Sequence, residues 1–216
     1  MTLQFDYYFS FRSPYSYLSA PMVAALMDRY DMAPRMRVVT PIALRIPGFF
    51  KTVNPLWPPY LMRDTLRIAQ MNAIPYRWPR PDPIVMDLST GEVAAHQPYI
   101  HRVSRMGVAA TRAGKGFAFI RNASAKIWSG EADSWHEGPH LADAAAKAGL
   151  DFDALERTAI DEAHSLDAEI AQNEADQQAA GHWGVPLFAF EGECFFGQDR
   201  LDHLVWRMKH HGLKEK

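Results

Sequence analysis

The sequence predicts an α/β fold that carries a large all-helical insertion, and three observations predict it. Residues 3–9, Tyr15 to Tyr30 and residues 35–40 read as β-α-β. From about residue 92 to 180 the chain is rich in Ala, Glu, Asp, Gln and Arg, with helical periodicity and almost no strand signal. Residues 182–216 return to β-β-α, so the helical block stands where the middle helix of a β-α-β-α-β-β-α order would be.

Each element has a local reason. Residues 3–9 (LQFDYYF) are short and aromatic-rich, which suits a strand. After the polar break SFRSP, the side chains Tyr15, Leu18, Met22 and Leu26 recur near helical spacing, and Pro21 inside that pattern is expected to kink the helix. Residues 35–40 (RMRVVT) form the second strand, and a strand pair joined through a helix is expected to be parallel with a right-handed crossover. Residues 45–60 hold Pro47, Pro55, Pro58 and Pro59 beside Phe49, Phe50 and Trp57, and read as a long loop of the kind that usually serves function. Helical patterning resumes over Tyr60–Asn72, and Pro75 to Pro83 interrupt it. Asp161–Ala180 is the clearest helix, with Gly181 placed to stop it. Leu187–Phe190 and Cys194–Phe196 flank Glu191-Gly192-Glu193 as a hairpin. Asp199–His211 closes the chain as an amphipathic helix striped by Leu201, Leu204, Val205 and Met208.

Composition bounds the function. The 216 residues are 48% hydrophobic and 22% charged, the values of a globular protein with a core large enough to need no metal or disulfide staple. A net charge of −2 argues against nucleic acid or an anionic membrane as the main partner. The single Cys194 permits no internal disulfide, and as a hairpin residue it reads as a buried small hydrophobe rather than a nucleophile. The start MTLQFDYYFS does not read as a secretory signal and no apolar run reaches membrane-spanning length, so a cytoplasmic location is expected. The histidines suggest no metal set: Gly138-Pro139 separates His136 from His140, His96 and His101 are out of helical register, and His210-His211 suits a helix C-terminus.

Three short segments can carry chemistry. Ser13-Pro14 opens the first helix, and on the plain reading it is a good cap followed by a first-turn proline. It also follows the first strand, so the helix N-terminus lies at the carboxyl end of a parallel pair, where open α/β sheets bind ligands. There a hydroxyl can hydrogen-bond a thiolate, and the helix dipole favours the anion. Val185-Pro186 reads either as a trans proline starting an edge strand or as a cis bond that frees the Val185 backbone for a peptide-like ligand. Gln198-Asp199 reads either as a helix cap or as a grip on the ammonium or carboxylate end of a ligand.

Taken together, SFRSPYSYL after a strand, GHWGVPLF, and FFGQDRLDHL near the C-terminus resemble the 2-hydroxychromene-2-carboxylate isomerases and kappa-class glutathione transferases, relatives of the DsbA-type oxidoreductases. The resemblance spans essentially the whole chain. It implies a thioredoxin-like fold with a helical insertion, divided as residues 1–45 and 182–216 for the discontinuous thioredoxin-like domain and 46–181 for the loop and inserted helical domain. In the oxidoreductases a Cys-x-x-Cys pair opens the first helix; here the place reads Ser13-Pro14-Tyr15-Ser16, so thiol–disulfide exchange is excluded.

The resemblance further implies that glutathione is the cofactor. Ser13 then matches the catalytic serine that hydrogen-bonds its thiolate. Val185, before a cis Pro186, matches the residue whose backbone pairs with the cysteinyl part. Gln198 and Asp199 match the pair that grips the γ-glutamyl end, and Asn54 matches a loop asparagine. The family pattern there is close to Gly-Asn-x-Pro-Pro, whereas this chain reads Val53-Asn54-Pro55-Leu56 with Pro58-Pro59 later. The activity implied is glutathione-dependent isomerisation of a conjugated, aromatic-derived or quinoid small molecule, as in aromatic catabolism, by a homodimer. The alternatives are a kappa-like glutathione transferase and a non-catalytic thioredoxin-like binding module. Trp57 and Tyr60 could wall an apolar pocket or belong to the core. Arg12 could add positive charge near the thiolate or meet an acidic substrate, and Arg12, Arg45 and Lys51 are equally available to a substrate carboxylate.

Overall fold

The computed structural model describes residues 2–87 and 89–216. In chain order, β1 (Leu3–Phe9), α1 (Pro14–Arg29) and β2 (Met32–Val38) lead into two single-turn helices, α2 (Ile42–Arg45) and α3 (Phe49–Thr52), and then α4 (Trp57–Met71). A small ribbon, β3 (Met86–Asp87) with β4 (Glu92–Val93), precedes the helices α5 (Ile100–Arg112), α6 (Gly116–Trp128), α7 (His140–Lys147), α8 (Phe152–Asp161) and α9 (Ala163–Ala179). The chain closes with the hairpin β5 (Leu187–Phe190) and β6 (Glu193–Phe196), a 3-10 turn at Gln198–Arg200, and α10 (Leu201–His210). The main sheet has the order β2-β1-β5-β6, so its strands come from the two ends of the chain.

β1 is the central strand, parallel to β2 from Leu3 opposite Met32 to Phe9 opposite Val38, and antiparallel to β5. This explains the run Tyr7-Tyr8-Phe9 at its carboxyl end, where both faces are covered, while Gln4 and Asp6 mark the more open face nearer its start. Phe5, Tyr7 and Phe9 join the main core, while Tyr8 packs on the other face with Val39, Leu187, Ala180 and Val185. The buried Tyr7 hydroxyl bonds the Ser16 carbonyl at 3.1 Å and the Ser19 hydroxyl at 2.5 Å, which ties α1 to the sheet. The hairpin closes with Phe190 opposite Glu193, leaving Glu191 and Gly192, both at positive φ, as a two-residue turn whose twist suits antiparallel strands.

The helical segment is packed onto this sheet as part of one continuous core. Trp128 of α6 is fully buried and donates its indole N–H to the Phe11 carbonyl at 2.8 Å. Tyr17 of α1 stacks with Tyr76 and Trp128. Gly107 lets α5 press against Phe11 and Val38, where a β-carbon would come within 2.9 Å of the Phe11 ring. Along α9 the buried stripe runs Leu166, Ile170, Asn173, Gln177: apolar where it meets the other helices, amide-bearing where it reaches the sheet.

Several expected boundaries shift. β2 begins at Met32 rather than residue 35 and includes Pro34, which an edge strand tolerates. Residues 45–60 are not a plain loop: α3 lies within them, and α4 starts at Trp57 with prolines in its first turn, where their missing N–H groups leave no intrahelical bond unmade. The helix expected over Asp161–Ala180 starts at Ala163, since α8 ends at Asp161 and Glu162 lies between them. α1 is assigned as one helix through Pro21. Among the described residues no helix is long and apolar enough to cross a membrane.

Candidate functional site

A cleft of about 1190 Å³ opens at the carboxyl end of β1, between the start of α1, the α2–α4 segment, the turn before β5 and the 3-10 turn after β6. It brings together every residue singled out from the three motifs: Ser13, Val185, Pro186, Gln198 and Asp199, with Asn54 from the loop.

Ser13 is at the centre of the geometry. It caps α1 with an extended backbone, and its hydroxyl oxygen accepts the Ser16 N–H at 3.2 Å. The same hydroxyl donates toward the Val185 carbonyl at 3.4 Å, long for an O–H···O bond. The Val185–Pro186 bond is cis. Among the described residues the Val185 N–H donates no hydrogen bond, so the backbone beside Ser13 offers one free donor and one weakly engaged acceptor. α1 is sixteen residues long, and its N-terminal partial charge favours an anion at this point.

The turn carrying Val185 is clamped from behind by α9. Gln177, fully buried, donates from its side-chain amide to the Gly184 carbonyl at 2.7 Å, and Asn173 donates to the Val38 carbonyl at 3.0 Å. Glu174 accepts the Thr40 N–H at 2.8 Å. The Gly184 N–H is taken by Nδ1 of His182, whose ring stacks on Phe196 at 3.9 Å between centroids. Burial lowers the His182 pKa, so the neutral ring required by that acceptor role is favoured. Sequence reasoning missed Asn173, Gln177 and His182; the one available signal was a helical stripe that turns from Leu and Ile to amides.

Asp199 is exposed and pairs with Arg200 at 2.7 Å, while Gln198 makes no side-chain hydrogen bond among the described residues. Asn54 uses its side-chain oxygen to accept the Leu56 N–H at 2.9 Å, which leaves the amide N–H groups for a ligand. Tyr15 donates to Asp64 at 2.9 Å; burial first and then this carboxylate raise its pKa, so it stays protonated at neutral pH.

The walls are aromatic: Phe49, Phe50, Trp57, Trp78, Trp183 and Phe196. Phe49 meets Phe50, Trp57 and Trp183 edge-on at 5.3–6.1 Å. Trp57 lines the cleft, whereas Tyr60 lies outside its lining and is exposed. Arg12 is not a free cation: its guanidinium bonds both oxygens of Asp82 at 3.1 Å and sits between the rings of Phe50 and Trp78. Lys51 is exposed and outside the lining. Cys194 lies on β6, half-buried, away from the cleft. The cleft thus presents a helix N-terminus and a capping hydroxyl beside a partly free backbone edge, together with aromatic walls.

Comparisons with known proteins agree on the fold. A model of the DSBA-like thioredoxin domain matches residues 4–209. No curated protein matches the chain. Among solved structures, a 2-hydroxychromene-2-carboxylate isomerase is 21% identical with a TM-score of 0.72, covering 96% of this chain and 95% of that one. A probable DsbA oxidoreductase from Streptomyces coelicolor is 14% identical with a TM-score of 0.66, covering 96% and 89%. The cytosolic disulfide reductase DsbM from Pseudomonas aeruginosa, with GSH, is 18% identical with a TM-score of 0.56, covering 94% and 99%.

Proposed function

The chain belongs to the DSBA-like thioredoxin family, and from that premise we propose that it is a glutathione-dependent isomerase of a conjugated, aromatic-derived small molecule. One observation carries the proposal: the helix-capping hydroxyl of Ser13 stands beside the Val185 carbonyl in an aromatic-walled cleft, in a chain with no cysteine at position 13 or 16. With no cysteine at this place, thiol chemistry here needs a sulfur carried by a ligand, and the free Val185 N–H with its adjacent carbonyl suits a cysteinyl backbone.

Glutathione, when bound, would supply a thiolate nucleophile for reversible addition to a conjugated carbonyl, the chemistry that isomerisation needs. The residues of the chain do the rest. Val185 pairs with the cysteinyl backbone. With that carbonyl engaged by the ligand, the Ser13 hydroxyl would be free to donate to the sulfur. The positive end of α1 adds to the stabilisation of the thiolate. Gln198, the Asp199 carboxylate and the Asn54 amide hold the polar ends of the tripeptide. The rings of Phe49, Trp57 and Trp183 exclude water and orient a planar acceptor. The cytosolic disulfide reductase solved with GSH supports the tripeptide as a ligand of this fold, and the isomerase neighbour supports the reaction class.

The test is calorimetry with glutathione followed by a spectrophotometric assay on 2-hydroxychromene-2-carboxylate or a related aryl enone. Binding below millimolar concentration and turnover that requires glutathione without consuming it are expected. No binding at millimolar concentration would leave a non-catalytic module. Stoichiometric consumption of glutathione would make the protein a transferase, and reduction of insulin disulfides would return it to the oxidoreductases.

A further inference from the structure

Among the described residues three cationic side chains line the cleft: Arg12, Arg45 and Arg200. Arg12 is spent on Asp82 and Arg200 on Asp199. Arg45, at the end of α2, forms no ion pair among the described residues. Its guanidinium is held by two neutral oxygens, Oε1 of Gln177 at 2.9 Å and the Trp183 carbonyl at 3.0 Å. Carbonyl oxygens orient a guanidinium but do not cancel its charge. Two of its five N–H donors are used, and Nε is buried with no partner. Glu174 acts on Arg45 only at a distance: its carboxylate favours the cation but bonds the Thr40 N–H and forms no ion pair with the guanidinium. Burial lowers the Arg45 pKa, and the Glu174 carboxylate offsets this only in part. A half-buried charge held in place by a fully buried glutamine is costly unless a ligand completes it.

We propose that Arg45 is the carboxylate receptor of this cleft. Two ligands can bring a carboxylate there, the glycyl end of glutathione and an aromatic acid lying against the cleft faces of Phe49 and Trp183, the latter bonded to Arg45 through its carbonyl. The first source rests on the glutathione reading above; the second does not.

Two probe pairs separate the sources: glutathione against its glycyl monoethyl ester, and 1-naphthoate against 1-naphthamide. Each is titrated into the wild type, Arg45→Gln and Arg45→Lys, following Trp fluorescence. In the wild type at least one acid is expected to bind about tenfold or more tightly than its neutral counterpart, as a charge-assisted hydrogen bond implies. In Arg45→Gln the difference disappears while the neutral compound binds as before. Arg45→Lys, whose point charge cannot hold Gln177, Trp183 and a carboxylate together, loses several-fold of the preference and decides the matter if the glutamine variant is unfolded. The pair that shows the effect names the source. The proposal is overturned if neither acid is preferred by the wild type, if the preference survives both substitutions, or if acid and neutral probe weaken together, which would make Arg45 a strut. Failure of glutathione itself to bind strikes only the isomerase reading, and the naphthoate pair still decides Arg45.

Discussion

Replacing Ser13 by alanine removes one oxygen that has two duties, and the two can be separated by measurement. As a cap, the hydroxyl accepts the Ser16 N–H at 3.2 Å, and its loss is expected to cost about 1 kcal/mol, a fall of about 2–4 °C in melting temperature for a domain of this size. As a donor, it is held only by the Val185 carbonyl at 3.4 Å, so little is given up when the proton turns to sulfur. A hydrogen bond to a charged group contributes about 1.5–3 kcal/mol. Its loss is expected to raise the bound thiol pKa by about one to two units, at 1.36 kcal/mol per unit. If the same bond is kept through the rate-limiting step, turnover falls about 10- to 150-fold. Thiolate absorbance of bound glutathione against pH reads the first, and steady-state isomerisation the second. Ser13→Asp keeps a capping oxygen without a donor, so it should melt like the wild type and still lose the thiolate; Ser13→Thr should keep both duties. A lowered melting temperature in Ser13→Ala with unchanged thiol pKa and turnover would refute the reasoning and leave Ser13 a cap.

Other substitutions test the frame of the cleft. Gly107→Ala places a β-carbon 2.9 Å from the Phe11 ring and 3.1 Å from a Val38 methyl, and is expected to cost about 1–3 kcal/mol in chemical denaturation; a neutral result would mean that α5 can back away from the sheet. Asp82→Asn leaves the Arg12 guanidinium, whose side chain is 11% exposed, without its bidentate partner, with an expected loss on the order of 3 kcal/mol, read from the same curves. His182 has its pKa lowered from 6.5 by burial, so the unfolded chain takes up the proton first as pH falls. Its contribution to stability is therefore present above about pH 6.5 and declines as the pH drops below that value. His182→Phe should flatten this part of the denaturation midpoint profile between about pH 7.5 and 5.5 while keeping the ring stack on Phe196; an unchanged slope would show that folding does not lower the His182 pKa.

The parts of this protein that sequence reasoning reached are those written in local chemistry. β1 announced itself through a short aromatic-rich run, four of whose members are buried, and the closing helix through the stripe Leu201, Leu204, Val205, Met208, all of which are buried. The α1 start was legible because Ser-Pro satisfies both the cap and the first turn. What was illegible depends on neighbours. Pro34 hides the start of β2 unless its edge position is known, and prolines 58 and 59 look like loop residues although they sit in the first turn of α4. In the cleft, Ser13, Val185, Gln198 and Asp199 meet because the ends of the chain share one sheet. That Arg12 is neutralised by Asp82, and that Gln177 reaches Arg45 as well as the nearby Gly184, depend on contacts across long stretches of chain that no local pattern encodes.

The amide end of α9 gives the inserted helices a hold on the binding edge. Through Gln177 a single side chain grasps the strap before Pro186 with its nitrogen and the guanidinium of α2 with its oxygen. A sideways slip of that helix would therefore move the strap and the neighbouring guanidinium together, and changes in how the insertion packs can retune which molecules fit without replacing any side chain that lines the cleft.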